Sequence, residues 1–574
     1  MIKMKLTIYS GRLLMVGLVC AALFSACKKD DFLEVPNTGA VDGATAFATE
    51  SSADVVLNDV YSNLPDLNNF IFEPFDSWTD DLMTGFNWNI SSQTARTKTT
   101  INPSSNLFYD WSAATMWLEW GTLYRRVRKC NVFIQGVEES ATLPQAYKDK
   151  KISEARVLRA FFYHQLWMLY GGVPLITKPD RRDQDGDAIF HARASFDETF
   201  QFLQKELAEA AALLSPNIWS EQKGKVTKGT ALTIKGWVEL FYASKRNNPT
   251  NDKTRWATAA ATNKEVMQMG YVLYSKYDEL FFTTGTTNKE GIMFREYLSV
   301  KQGSNIIGYQ GPNYVGSRWL SWGGSTPTQE LVDDYAMANG MAIDDPGSGY
   351  DEDNPYVNRE PRFRQSILYN GSTFNGETFL SAVGSGNNSI DLADASDNTN
   401  TGYCTKKRMD TSVNIFQGGT SAQNYYFFRY AEVLLNYAEA QNEAVGPDPS
   451  VYAALDEVRV RAGIPTFTDV YPGVNQEKMR QLIRRERRIE LAFEGKRYFD
   501  LIRWEIAEVN LNHVMHGMKI TGSPGAYTYE KINAVPPGAP QWTFDKTKNY
   551  LLPIPLSAIG RNPALQGHQN PGYQ

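Results

Sequence analysis

Histidine and cysteine are scarce in this 574-residue chain, at five and four residues, and each scarcity excludes some chemistry. Cys20 lies inside an N-terminal apolar run and Cys27 directly behind it, which leaves Cys130 and Cys404 for the folded body. Two cysteines cannot furnish a zinc site. They can close one disulfide in an oxidising compartment or remain buried thiols, and the helical, apolar surroundings of Cys130 favour thiols. His513 and His516 are spaced to share a helical face, but no third ligand stands near them and a surface pair is expected. No G-x-S-x-G occurs at a plausible strand-to-helix elbow, so that hydrolase nucleophile is missing. An excess of one charge is lacking too: 58 basic residues face 64 acidic ones, which gives no footprint for nucleic acid.

Long apolar runs are absent with one exception. Leu13 to Phe24 follows Lys3, Lys5 and Arg12 and is about half the length that spans a bilayer, so residues 1–26 read as a cleaved secretory signal. Ser25-Ala26-Cys27 places a small residue directly before a cysteine, the pattern of a lipoprotein in which Cys27 carries the lipid. Residues 27–43 are then a lipidated tether, with Pro36 and Asn37-Thr38-Gly39 breaking any periodic pattern.

Aromatics, by contrast, make up 13% of the chain, with 13 Trp and 30 Tyr; flat aromatic surface is what sugars and peptides are gripped by. The length allows two or more cores, or one extended helical array with a second lobe. Ala53, Val56, Leu57, Val60, Tyr61 and Leu64 share one face of a first helix, with Ser51 or Ser52 as its cap. Helical periods recur at Trp117 to Ile134, Ala155 to Leu166, Phe196 to Leu214 and Ile234 to Phe241, and short Gly- or Pro-bearing links make neighbours antiparallel. Three more lie far downstream, at Tyr430 to Gln441, Val451 to Arg461 and from Met479. The expected fold is mainly α: a TPR-like array of antiparallel helical hairpins, although no strict repeat of about 34 residues aligns. From Lys245 to Tyr425 the texture turns to Gly, Asn, Ser, Thr and aromatics, a large irregular α/loop lobe inserted in the array. Residues 44–245 therefore read as an N-terminal helical region, and 246–574 as a C-terminal region holding the lobe and the last scaffold helices.

The stretch Met479–Trp504, MRQLIRRERRIELAFEGKRYFDLIRW, puts charge where an amphipathic helix would not. At about 100° per residue Leu482, Ile489 and Phe493 form one stripe with Glu486 and Glu490 inside it, while Arg484, Arg485, Arg487 and Arg488 face away. Carboxylates on an apolar stripe need cations from elsewhere, for which Arg429, Arg459, Arg461, Arg497 and Arg503 are candidates. Gly495 is expected to end the helix. These residues resemble the C-terminal signature of the SusD/RagB family. So do EARVLRAFFYHQLWMLYGGVPLI (Glu154–Ile176), FRYAEVLLNYAEAQNEA (Phe428–Ala444), VRVRAGIP (Val458–Pro465), LLPIP and QNPGY. The resemblance implies a surface nutrient-binding lipoprotein of a Gram-negative outer membrane, working with a SusC-like TonB-dependent transporter and carrying no catalysis. Lys28-Lys29-Asp30-Asp31 resembles the tag that sends such lipoproteins to the outer face. An oligosaccharide is the expected ligand, a peptide the alternative and a surface glycoside hydrolase the distant one; no nucleic acid is implied.

Two stretches combine aromatic planes with groups that bond hydroxyls or amides: Trp78, Asp80, Asp81, Trp88 and Asn89, and Tyr309, Tyr314, Arg318, Trp319 and Trp322. The resemblance points to the same two places, the excursion after the first helix and the stretch before a helix that Thr326-Pro327-Thr328 starts near Gln329. Glycoside hydrolysis needs two carboxylates across a cleft, but Asp80 and Asp81 are adjacent and Glu486 and Glu490 are committed to ion pairing. No cofactor is expected. The acidic loop Asp344 to Asn354 offers oxygens to Ca²⁺, yet its spacing is not that of an EF-hand and a solvated loop is the better reading. Arg359-Glu360-Pro361-Arg362 resembles a family motif of structural character.

Overall fold

The computed structural model describes residues 43–69, 73, 75–85, 97–104, 118–216, 224–283, 288–299, 301–315, 318–385, 388–390, 399–413 and 419–574. In the first half α1 (Glu50–Ser62), α2 (Trp120–Glu139), α3 (Gln145–Tyr170), α4 (Phe196–Leu213), α5 (Lys228–Ala243) and α6 (Lys253–Met267) follow one another. After α7 (Gln329–Asp334), the chain returns to long helices as α8 (Tyr430–Val445), α9 (Pro449–Ala462), α10 (Gln476–Glu490) and α11 (Arg497–Arg503). Each of α1 to α5 packs on the next helix, α6 packs on α8, and α8 packs on both α9 and α10. The array thus closes across the insertion, and the lobe hangs from it.

Side-chain caps set where these helices start. Ser195 accepts from the Glu198 amide while Glu198 reaches back to the Ser195 amide at 2.7 Å, and Thr227 with Thr230 repeats the device on α5. Thr49, rather than Ser51 or Ser52, caps α1, and Ser52 is its return partner. Helix α6 lies inside the stretch whose composition reads as irregular. Its sequence, KTRWATAAATNKEVM, has no clear apolar stripe, but alanines bury readily between two neighbours, and Ala259 and Ala260 do so.

One apolar core runs along the array through Leu123, Phe162, Trp167, Leu203, Trp237 and Leu434. A second joins lobe to array, with Leu331, Tyr335 and Phe363 against Ile489 and Phe493. Cys130 belongs to the first core and Cys404 to a third, inside the lobe; both are free thiols that burial pushes up to about 12. Strands are short and pair in twos: β1 (Leu82–Met83) with β5 (Thr326–Pro327), β2 (Gly291–Arg295) with β6 (Tyr425–Arg429), β3 (Tyr314–Val315) with β4 (Arg318–Trp319), and β7 (His516–Ser523) with β8 (Ala526–Asn533). The β2–β6 pair, Arg429 opposite Gly291, is the neck through which the chain leaves and re-enters the array. Among the described residues no helix is long and apolar enough to cross a membrane.

The end of α10 is a seam of matched charges. Glu486 meets Arg362 at 2.7 Å and Arg459 at 3.1 Å. Glu490 meets Arg429 at 2.7 Å and Arg362 at 2.9 Å, with Arg461 beside it. Three of the expected cations are therefore partners, while Arg362 comes from the Arg359–Arg362 motif. Arg503 goes instead to Glu439 and Asp500, and Arg497 to Asp80. Contrary to expectation, Arg487 and Arg488 turn inward: Arg487 lies between Asp500 and Asn436, both at 2.7 Å, and Arg488 holds Asp81 and Asp334 at 2.6 Å. The cause is that α10 is covered by α8 and by α7, so it has no single solvent face and a two-sided helical wheel does not describe it. The helix ends at Glu490, earlier than Gly495. A turn follows in which Phe493 (φ +63°) and Gly495 (φ +71°) are both left-handed.

Candidate functional site

The β1–β5 ladder brings the two aromatic stretches together, with Leu82 opposite Pro327 and Met83 opposite Thr326. Thr328 reinforces it, its amide donating to the Asp81 carbonyl at 3.0 Å and its hydroxyl to that of Asp80 at 2.5 Å. The same Thr328 caps α7 through the Leu331 amide, as Thr326-Pro327-Thr328 led one to expect.

The first stretch proves to be an anchor. Trp78 is 1% exposed and packs edge-on against Phe75 and Tyr498, at 5.5 and 5.3 Å between ring centroids. Asp80 takes Arg497 at 2.8 Å and Asn510 at 2.9 Å, and Asp81 takes Arg488 at 2.6 Å. Burial alone would raise the Asp80 carboxyl, but Arg488 and Arg497 outweigh it and hold the group far below the usual range. None of these three side chains is placed to meet a ligand. Trp88 and Asn89 lie outside the described residues.

The second stretch is a framed loop. After a single helical turn, Ile306–Gln310, the chain makes the β3–β4 hairpin, with Tyr314 opposite Trp319 and Val315 opposite Arg318. It is then cinched at its base: the Trp322 amide donates to the Gly308 carbonyl at 3.1 Å and the Gly324 amide to that of Tyr309 at 3.0 Å. The Ser321 hydroxyl donates to the carbonyls of Gly311 and Pro312. Gly311 has to be glycine, since a Cβ there would stand 2.7 Å from the Ile307 carbonyl. Asn388 clamps Tyr314 from both sides, accepting from its amide at 3.1 Å and donating to its carbonyl at 2.6 Å. Asn69 ties the loop to the first stretch, accepting from the Asn305 amide at 2.8 Å and donating to the Gly303 carbonyl at 3.1 Å.

On this frame Tyr309 and Tyr314 are half-buried and Trp322 is 44% exposed. Arg318 and Trp319 are described by their backbone positions in β4 alone. Trp322 and the two phenols offer ring surface of the kind that stacks on a ligand, on a loop whose base is tied through the Gly308 and Tyr309 carbonyls. Asn69 and Asn388 were missed in the sequence, although asparagines clustered in loops are the residues that satisfy loop backbone.

The remaining candidates resolve into structural contacts. Glu486 and Glu490 are inside the charge seam. His516 opens β7, not a helix, and bonds Glu330 at 2.6 Å. In the acidic loop Asp345 accepts from the Tyr471 hydroxyl, Asp344 lies 3.3 Å from Arg485, and Asp351 closes its own turn onto the Asp353 amide. Among the described residues no group of three or more His, Cys, Asp or Glu is placed to hold a metal ion.

Two family models match this chain: one described as SusD family over residues 289–573, the other as starch-binding, associating with the outer membrane, over residues 31–237. A SusD-like protein of Formosa agariphila is 34% identical over 160 residues, 27% of each chain. A crystal structure of a SusD-like protein of Bacteroides fragilis superposes with a TM-score of 0.75 at 28% identity, covering 93% of this chain and 99% of that one. A second from Bacteroides fragilis, described as a SusD-like carbohydrate binding protein, gives 0.71 at 26% identity, covering 91% and 100%.

Proposed function

Because the chain belongs to the SusD family, we propose that it is a cell-surface protein, anchored through a lipid on Cys27, that captures an oligosaccharide on the Trp322 loop. It passes the glycan to a SusC-like TonB-dependent transporter and does not cleave it. Trp322 carries the reading: a large ring left 44% in water on a loop whose base is tied by backbone bonds to Gly308, Tyr309 and Asn313. The outer-membrane, starch-binding description of the N-terminal match and the carbohydrate-binding description of one relative support the ligand class. The two carboxylate pairs weighed for hydrolysis, Asp80 with Asp81 and Glu486 with Glu490, are engaged by Arg488, Arg497, Arg362 and Arg429.

A shallow platform of this kind binds weakly. Covering a sugar face gains about 25 cal/mol per Å², so one indole supplies a few kcal/mol before ordering costs, and dissociation constants from about micromolar to millimolar are expected. The experiment is calorimetric titration of the full-length protein with a panel of oligosaccharides and a panel of peptides. A glycan should bind, and Trp322→Ala should abolish that binding with little change in melting temperature. Binding of peptides alone would replace the glycan reading with peptide capture. Cys27→Ala should leave the protein unprocessed or soluble, and protease added to intact cells should degrade the wild type.

A further inference from the structure

Arginines that leave water in this protein mostly face carboxylates, as Arg362, Arg429 and Arg487 do. A cavity at the start of α4 breaks that habit. It is open to solvent, holds about 540 Å³ and is lined by the half-buried Arg193 and Arg246 with Asn247, Phe196, Leu551 and His568 among others. Arg193 is held rigidly: it donates to the carbonyls of Gly172 at 2.7 Å, Tyr170 at 2.8 Å and His568 at 2.6 Å, and to the Asn570 side chain at 2.6 Å. All four acceptors are neutral, so its charge is not cancelled. Arg246 lies over the Tyr550 ring at 4.2 Å. Among the described residues neither arginine forms an ion pair, and burial lowers the pKa of both; at Arg246 the carboxylates of Glu505 and Glu508 act from a distance and offset the burial only in part. The one carboxylate on the rim, Glu198, is turned onto the Ser195 amide at 2.7 Å.

We propose that this cavity is a second binding site, which takes a carboxylate-bearing sugar with its acid group on Arg246 and its ring against Phe196 and Leu551. Phe196 is a firm wall, stacked on the buried Trp167 at 4.6 Å. The volume suits a small organic ligand and exceeds what a bare inorganic anion would fill. Guanidinium groups favour carboxylates because their planar donors match the two oxygens. The site shares no lining residue with the Trp322 loop, so it stands or falls independently of the glycan platform.

The probe is glucuronic acid, titrated into the full-length protein and followed by saturation-transfer NMR, with glucose and the methyl ester of glucuronic acid as uncharged controls. Glucuronate should bind, weaken as salt rises, and bind at least about tenfold more tightly than either control. Arg246→Met keeps an apolar stem over Tyr550 and should weaken glucuronate by about tenfold or more, whereas Trp322→Ala should leave it unchanged. The ester comparison needs no variant, so it decides the matter even if Arg246→Met folds poorly. Equal affinity for acid and ester, or loss of glucuronate binding in Trp322→Ala, would overturn the proposal.

Discussion

The end of α10 and the loop from Gly308 to Gly324 hold their shapes by opposite means. In α10 the polar groups are full charges, withdrawn from water and matched against several partners each: Arg429 alone meets Glu290, Glu490 and Glu494 at 2.7 Å. In the loop, among the described residues, they are backbone amides, carbonyls, the Ser321 hydroxyl and asparagine side chains, all neutral, and the Trp322 ring is 44% exposed. Breaking the first arrangement strands a buried ion, at about 3–5 kcal/mol; breaking the second leaves a neutral group unpaired, at about 1–3 kcal/mol. The seam therefore resists change, and the loop tolerates it at the positions that would touch ligand. The two are mechanically joined, because Arg488 and Arg497 grip Asp80 and Asp81, β1 continues from those aspartates, and β5 pairs with β1 just beyond the loop.

Substitutions in the seam should cost the most. Glu490→Ala removes the carboxylate shared by Arg429, Arg461 and Arg362, and Arg487→Ala leaves Asp500 with Arg503 alone; each unbalances buried charge and should destabilise by about 3–5 kcal/mol in thermal or denaturant unfolding. Arg485, on the same helix but 29% exposed, with its carboxylates at 3.3 and 3.5 Å, should cost under about 1 kcal/mol as alanine. Similar, small losses for Arg487→Ala and Arg485→Ala would show that the seam is open to water.

An effect of intermediate size separates the two regions by pH. Burial opposes ionisation of Glu439 and Glu494, but Arg503 holds the first at about 2, and Arg429 with Lys407 holds the second at about 2, against an ordinary 4.5. Depressed carboxyls stabilise the fold above 4.5, and that contribution is lost as pH falls from 4.5 toward 2. Glu73, beside the site's anchor, is the reverse case: burial pushes it up to about 7, outweighing the Asp76 amide and Arg408. A raised carboxyl favours the fold at low pH, so its contribution is lost as pH climbs from 4.5 through 7. Melting temperature followed from pH 5 to 8 should therefore decline less steeply in Glu73→Gln than in wild type; parallel curves would remove Glu73 as the cause.

How much of this was legible differs between the regions for physical reasons. Glu486 and Glu490 betray the seam because carboxylates at helical spacing on an apolar stripe have few explanations, and Arg429, Arg459 and Arg461 could be named as partners. The inward turn of Arg487 and Arg488 could not, since it depends on α7 arriving from the lobe to cover a second side of α10. The excursion after α1 looked like binding surface because Trp, Asp and Asn in an aperiodic stretch usually are. Trp78 is core only because Tyr498, over 400 residues later, closes on it, and no local pattern reports that. In the loop, the rings were visible and their exposure was not: Tyr309, Tyr314 and Trp322 sit in near-identical composition, and the backbone cinch decides which of them faces water.

A smaller loss of stability than at the seam tests whether that cinch matters to binding. Asn388 is buried and spends both ends of its amide on the backbone of Tyr314. Asn388→Ala removes no group expected to touch ligand; it leaves one amide and one carbonyl without partners, for a loss of about 1–3 kcal/mol that water entering the loop would reduce toward the lower figure. If the platform gains affinity from being fixed in advance, loosening Tyr314 makes the ligand order it, at about 0.5–1.5 kcal/mol for one side chain, and the dissociation constant should rise by about two- to tenfold. Calorimetric titration of Asn388→Ala beside Trp322→Ala reads this directly, with partial loss expected for the first and complete loss for the second. Wild-type affinity in Asn388→Ala, alongside a measurable fall in melting temperature, would mean that the clamp serves the fold alone and that the rings find their positions without it.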